Sequence, residues 1–204
     1  PAETLFLENL DADDLLQGGP AVRIGGNVAK GVLFDAGPAY SAAGIEGDDD
    51  ADGVKNGDED DDGDGVKNRE DSDRDGDGLP DASEGTAKIT SFGAAPAVVV
   101  GSATNSVTLG VAGTGANANG FINRGEIFGL GVYDDVAATA VQFGVAGGQT
   151  VTIQGGVRNE GSIAVLAHSA DATAIRFAAG ATTPTLTNTG TISAASSTDG
   201  KDQV

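Results

Sequence analysis

The pattern Asn-x-Gly-x-Ile occurs three times, in "INRGEI" (122–127), "RNEGSI" (158–163) and "TNTGTI" (187–192), and it places Asn123, Asn159 and Asn188 at spacings of 36 and 29 residues. A pattern returning at this interval restricts the fold more than any other feature of the chain. Each repeat is one structural unit, and it can bury its apolar face only against its neighbours. A second family of four stretches runs through the same region: "PAVRIGGNVAKGVLF" (20–34), "PAVVVGSATNSVTLG" (96–110), "TAVQFGVAGGQTVTI" (139–153) and "TAIRFAAGATTPTLT" (173–187). Each opens with Pro or Thr, then Ala, a β-branched residue, a free position and an apolar one. Alternation with period two puts Val22 and Ile24, Val98 and Val100, Val141 and Phe143, and Ile175 and Phe177 on one face. Arg23, Gln142 and Arg176 fall on the other, as in a strand with one wet side.

These repeats predict an all-β chain folded as a right-handed parallel β-helix (β-solenoid). Successive circuits bring like residues above like, Val, Ile and Phe fill the interior, and asparagine and glycine are expected at the bends, where an asparagine ladder can hydrogen-bond along the axis. The right hand follows the preference of parallel crossovers. The composition agrees, with 33 glycines and only 4% aromatic residues. "ETLFLENLDADDLLQ" (3–17) is the one segment with helical spacing. An antiparallel sandwich with accidental similarity is the competing reading, disfavoured by four copies that share one offset pattern.

The first two strand copies start 76 residues apart, against 43 and 34 for the later ones. An acidic stretch, 48–84, lies in that gap and reads as an insertion projecting from the β-helix. It carries 17 acidic residues against 4 basic ones, which is −13 of the chain's −20. The expected organisation is therefore an N-terminal segment with the first circuit (1–47), the acidic insertion (48–84), and further circuits (85–204) that continue past the chain's last residue. The first residue, Pro1, is no translation start, so a processed chain or a fragment is expected.

Within the insertion three windows fit one template: "DDDADGVKNGDE" (48–59), "DDDGDGVKNRED" (60–71) and "DRDGDGLPDASE" (73–84). Aspartate stands at positions one, three and five, glycine at six, Asn or Asp at nine, and an acid at twelve. Calcium is a hard cation that takes six to eight oxygens, and alternating aspartates wrap carboxylates around one point. Glycine permits the sharp turn, the seventh residue offers its carbonyl, and the twelfth acid closes the site. The expected ligands are Asp73, Asp75, Asp77, Leu79, Asp81 and Glu84 in the third window, which fits best. The second supplies Asp60, Asp62, Asp64, Val66, Asn68 and Asp71, and the first Asp48, Asp50, Asp52, Val54, Asn56 and Glu59, where "DDD" permits a shifted register. The plain alternative is a solvated acidic linker. Three registered glycines after alternating aspartates favour the calcium site.

Other function classes find little support. The acidic balance argues against nucleic acid and anionic membrane as partners, and no apolar run is long enough for a membrane span. Cysteine is absent, so no disulfide or thiolate metal site exists. Outside the insertion the groups available for catalysis are Asp134, Asp135, His168, Arg124, Arg158 and Arg176. The two aspartates are adjacent and read as a turn, and the histidine in "VLAHSADA" reads as a bend residue.

The acidic windows resemble EF-hand loops, and more closely the loop-only tandem repeats of the thrombospondin type 3 class. They depart from EF-hands at position eight, which is Lys55, Lys67 or Pro80, and they lack that class's cysteines. "GGPAVRIGGNVAKGVLFDAGP" (18–38), "SFGAAPAVVVGSA" (91–103), "GVYDDVAATAVQF" (131–143) and "ATAIRFAAGATTPTLTNTGTISA" (172–194) resemble the passenger region of sphingomonad-type autotransporter surface proteins. That resemblance implies export to the extracellular or bacterial outer-membrane surface, with anchoring by an outer-membrane β-barrel. The expected function is a non-enzymatic structural or adhesive module stabilised by calcium, with a glycan or another cell-surface molecule as partner. A filament or surface-layer subunit, self-associating through the β-helix ends, is the first alternative. A calcium-dependent polysaccharide-degrading enzyme is the second.

Overall fold

A computed structural model describes residues 19–35, 46–47, 53–72, 74, 85–113, 115 and 118–197. The segment 3–17 lies outside them.

The described chain is all-β, with one short 3-10 turn at Asn56–Asp58. Its strands are β1 (Val22–Ile24), β2 (Val32–Phe34), β3 (Lys88–Phe92), β4 (Val98–Val100), β5 (Val107–Leu109), β6 (Phe121–Asn123), β7 (Glu126–Asp134) and β8 (Ala138–Phe143). They continue with β9 (Val151–Ile153), β10 (Val157–Asn159), β11 (Ser162–His168), β12 (Ala172–Phe177), β13 (Ala181–Thr182), β14 (Leu186–Asn188) and β15 (Thr191–Ser197). They form four sheets, ordered β1-β4-β8-β12, β5-β9-β13, β2-β6-β10-β14 and β3-β7-β11-β15. Every strand pairing is parallel. The chain visits the sheets in a fixed cyclic order and adds one strand to each per circuit. In the first circuit Val28 takes the place of a strand, bridging Leu109 in parallel.

The register is the one the repeats require. Val22, Val98, Val141 and Ile175 form one column and Ile24, Val100, Phe143 and Phe177 another. Columns of β-branched and aromatic side chains suit parallel strands because each side chain stands about 4.8 Å from its copy. Val98, Val100, Phe121, Val141 and Phe143 are completely buried. The rings of Phe34, Phe121, Phe143 and Phe177 cross the interior as a chain of contacts, with centroids 5.5, 5.1 and 5.0 Å apart.

The three motif asparagines stack as Asn123↔Asn159↔Asn188. They close β6, β10 and β14 with their amides turned inward, and do not occupy the bends themselves. Asn123 and Asn159 are fully buried. Asn123 Nδ2 donates to Asn159 Oδ1 at 2.8 Å, and Asn159 Nδ2 donates to Asn188 Oδ1 at 2.7 Å. Each of these amides also donates to the glycine carbonyl two residues on, at 3.2 Å. The motif glycine is fixed by crowding: a Cβ at Gly161 would lie 2.2 Å from the Gly125 carbonyl oxygen, and one at Gly190 would lie 2.1 Å from that of Gly161.

That corner also locates the acidic segment. Arg124–Gly125, Glu160–Gly161 and Thr189–Gly190 each join two strands directly. In the first circuit the same link, from β2 to β3, runs through residues 35–87. Its ends are side by side, with Ala87 N donating to Asp35 O at 2.8 Å. Lengthening a loop costs only about 0.6 kcal/mol per doubling. One or two buried aliphatic side chains, at about 1.5–3 kcal/mol each, offset the whole excursion.

Two substitutions test this frame. Asn159→Ala removes a completely buried amide that bonds to both neighbours in the ladder, at about 1–3 kcal/mol, whereas Asn188→Ala, at an exposed position, costs less. Urea midpoints of the two variants should fall in that order. Gly161→Ala forces two backbones apart, an overpacking loss of about 1–3 kcal/mol; an unchanged midpoint would contradict the close approach.

Candidate metal centre

The acidic excursion is built from aspartates that bond to their own backbone. Asp60 accepts from Gly63 N through Oδ1 at 2.8 Å and from Gly65 N through Oδ2 at 2.9 Å. Asp62 Oδ1 accepts from Asp64 N at 3.0 Å, and Asp64 Oδ1 accepts from Val66 N at 2.7 Å. Such turns are what short acidic side chains favour. They curl the chain until carboxylate oxygens of Asp60, Asp62 and Asp64 lie within 4.8 Å of one another. The sixth-position glycines carry the sharp turn at positive φ, 94° at Gly53 and 95° at Gly65, a region open to glycine at no steric cost.

The described part of the first window, 53–59, folds like 65–71 of the second, with hydrogen bonds that recur twelve residues on. Asn56 N donates to Gly47 O and Asn68 N to Glu59 O, both at 2.8 Å. Asp58 N donates to Lys55 O and Glu70 N to Lys67 O, both at 2.7 Å. The ion pairs recur as well: Lys55 with Glu46, and Lys67 with Asp58. Arg69 reaches both of those acids, at 3.4 and 3.1 Å.

The charges are thereby sorted. Lys55, Lys67 and Arg69 are engaged by Glu46 and Asp58, which lie outside the proposed ligand set. Asp60, Asp62 and Asp64 receive backbone N–H groups and no cation among the described residues. The hydrogen bond and charge of Lys55, with Arg69 beyond, hold the Glu46 carboxyl below its ordinary value. The Lys67 hydrogen bond, helped by Arg69, does the same for Asp58. Asp62 moves the other way. The Asp64 N–H pulls its carboxyl down, but desolvation and the neighbouring carboxylates of Asp64, Asp60 and Asp71 outweigh this and hold it above 3.8.

The other expected ligands are placed as follows. Val54 and Val66, at position seven, have exposed side chains. Asn56 and Asn68, at position nine, are only 2% and 3% exposed. Asn68 Oδ1 accepts from Asp61 N at 3.1 Å and its Nδ2 donates to Asn56 O at 2.6 Å, so it stitches one window to the next. The Glu59 carbonyl accepts from Asn68 N. Asp71, at position twelve, lies near enough to act on Asp62 but outside the three-carboxylate group. Asp48, Asp50, Asp52, Asp73, Asp75, Asp77, Leu79, Asp81 and Glu84 fall outside the described residues. The spacer role of Asn68 and the sorting of charge were missed in the sequence. The signal was there in Glu46 and Asp58, and in Lys55 and Lys67, each pair twelve apart.

The donor set is carboxylate oxygen, the chemistry a hard cation such as calcium takes. Elsewhere, Asp134 ends β7 and Asp135 sits in a turn at φ 62°. His168 ends β11, and its Nδ1 shares a 2.7 Å hydrogen bond with Ser197 Oγ. Arg124 and Arg158 both hold Glu160. A shallow groove of about 250 Å³ lies along the outer face of β3, β7 and β11, beside Lys88, Glu126 and Phe128. No described helix is long and apolar enough to cross a membrane. Comparison with protein-family models, curated proteins and solved structures finds no match.

The charge sorting fixes a pH response. The proton on Asp62 stabilises the metal-free fold below pH 3.8, and that contribution is lost as the pH rises through the raised value. The pairs of Glu46 and Asp58 act oppositely, contributing above 4.5 and 3.8 and fading on acidification. A divalent cation held by Asp62 must displace its proton, so affinity should begin to fall on acidification while the pH is still above 3.8. Carboxyl NMR titration of the metal-free chain checks the premise; an Asp62 midpoint at or below 3.8 contradicts it.

Proposed function

We propose that the chain is a calcium-stabilised, non-enzymatic structural or adhesive module of an extracellular or bacterial outer-membrane surface protein. In this reading the circuits wind as a right-handed parallel β-helix, the hand preferred by parallel crossovers, and the acidic segment projects from it as tandem calcium loops. The observation that carries the proposal is the sorting of charge: Lys55, Lys67 and Arg69 pair with Glu46 and Asp58, while Asp60, Asp62 and Asp64 converge with no cation paired to them among the described residues. Three carboxylates brought this close repel one another, and a divalent cation among their oxygens would remove that repulsion. Asp60, Asp62, Asp64 and Asp71 would hold the ion, with the Val66 carbonyl. The twelve-residue recurrence of hydrogen bonds supports an equivalent site in the first window. Extracellular calcium suffices for modules binding at about 10⁻⁴–10⁻³ M. The resemblance to autotransporter passengers supports the surface location, and a glycan or other cell-surface molecule is the partner class that reading implies.

Calorimetry with calcium on the whole chain should give heats consistent with two or more sites, reduced when Asp62→Ala and Asp64→Ala are combined. Absence of heat at millimolar calcium defeats the proposal. Limited proteolysis separates the two parts of the molecule. With chelator, cleavage should be confined to the acidic segment while 88–197 stays intact; loss of the whole chain would mean that the ion holds the strands as well.

A further inference from the structure

The strands β3, β7 and β11 carry an apolar outer face. Thr90, Phe128 and Ala164 form one row along the axis, and Phe92, Leu130 and Leu166 form the next. Ile127 and Ile163, between these rows, are buried inside, so the rows themselves face outward. A sheet with one wet side ordinarily turns polar residues to it. β1, β8 and β12 do so with Arg23, Gln142 and Arg176, and β5, β9 and β13 with Thr108, Thr152 and Thr182. Here Phe92 is 43% exposed. Phe128 is partly exposed and touches no other ring among the described residues, unlike the four phenylalanines of the interior. Both its neighbours in the row are smaller, so its ring stands above them and borders the groove of about 250 Å³. The polar groups beside it are the hydroxyls of Thr90 and Ser162, and Lys88, whose Nζ lies 3.3 Å from Glu126 Oε2.

We propose that this groove binds an uncharged oligosaccharide, with one sugar ring laid against Phe128. The proposal gives a place on the molecule to the glycan of the proposed function, and it rests on that reading for its partner but not for its calcium. Size decides against a protein. Three strands about 4.8 Å apart, paired over five residues at about 3.3 Å each, offer roughly 240 Å², against about 800 Å² per partner in a stable protein interface. A second copy of the chain finds too little area here. The groove is also too shallow for an acyl chain, whose gain depends on leaving water altogether. A saccharide has an apolar C–H face and a rim of hydroxyls, so it can lie on a ring and stay wet on its other side. The negative face of the phenylalanine ring attracts those C–H groups. Charge selects among saccharides. Lys88 and Glu126 neutralise each other while offering N–H donors and carboxylate acceptors to sugar hydroxyls. The chain's net charge of −20 repels an acidic glycan.

The test follows NMR shifts of the full chain with maltohexaose, cellohexaose and N-acetylchitohexaose as uncharged probes, hexagalacturonate as the acidic one and decanoate as the apolar one. At least one uncharged probe should shift the signals of Phe128, Ser162 and Ala164 saturably, and the other two classes should not. Phe128→Ala, and Phe128→Leu, which keeps apolar bulk without the ring, should each weaken that binding by about tenfold. Gln142→Ala, on another face, should leave it unchanged. Binding by none of the uncharged probes, binding that survives both Phe128 variants, or preference for hexagalacturonate or decanoate overturns the proposal. Chelator should alter none of these shifts. Failure of the saccharides with the calcium heats intact therefore strikes this inference alone, and loss of the heats with saccharide binding intact strikes the calcium reading alone.

Discussion

The fold depends on one repeated constraint: each circuit must lie on the last in parallel register. The asparagine column is where that constraint is enforced. A buried polar side chain is costly when unmatched and specifying when matched. An amide carries a donor and an acceptor on opposite edges, so a stack of identical amides satisfies itself only when the copies coincide. Asn159 is completely buried on those terms, its oxygen and its amide both engaged by ladder neighbours. The adjacent glycine column removes the remaining freedom, because the Gly161 backbone stands where a Cβ would strike Gly125. Apolar columns alone tolerate substitution and slippage more readily. The amides give the stack its register, and the Val, Ile and Phe columns give it most of its stability.

The long excursion interrupts a corner and no strand. Phe34 O still accepts from Arg124 N at 2.8 Å, and Ala87 O from Glu126 N at 2.8 Å, so both feet keep the bonds that a two-residue corner would make. Arg124 lies 3.7 Å from Asp35 and 2.7 Å from Glu160, tying the foot of the excursion to the following circuits. A segment with a net charge of −13 is thus attached where its self-repulsion acts on a loop and leaves the sheets unloaded.

What was legible in the sequence was whatever repeats. The offsets that align Val22 with Val98, Val141 and Ile175 are the strand pairs, and the asparagine spacings are the ladder. Repetition is readable because in a stack the same residue meets itself, so one column fixes a long-range contact that ordinary patterns leave open. In the described parts of the acidic segment, the positive-φ glycines Gly53 and Gly65 and the convergence of Asp60, Asp62 and Asp64 follow from the spacing of the sequence. Contacts between unlike residues were not legible. The inward amide of Asn68 answers to a backbone N–H at Asp61 and a carbonyl at Asn56, groups that every residue owns and no sequence marks. The exit of the excursion directly after Asp35 was hidden for a related reason: a corner of two residues and a detour from 36 to 86 leave the flanking strands unchanged.

These two halves answer to different forces, and that bears on how such a molecule behaves when conditions change. The circuits are held by apolar columns and buried amides, on which salt and modest pH changes act weakly. The described part of the acidic segment is held by exposed ion pairs beside carboxylates that repel one another, so ionic strength and protons act on it directly. Because Lys55, Lys67 and Arg69 are already committed to Glu46 and Asp58, salt weakens those pairs without supplying charge to Asp60, Asp62 and Asp64. Monovalent salt screens that repulsion diffusely; under the proposed reading a divalent cation among the oxygens would remove it at the point of convergence. A rigid stack can carry a segment that responds to its surroundings only where the segment's order is not needed for the stack's own, and the β2–β3 corner keeps the backbone bonds of both flanking strands.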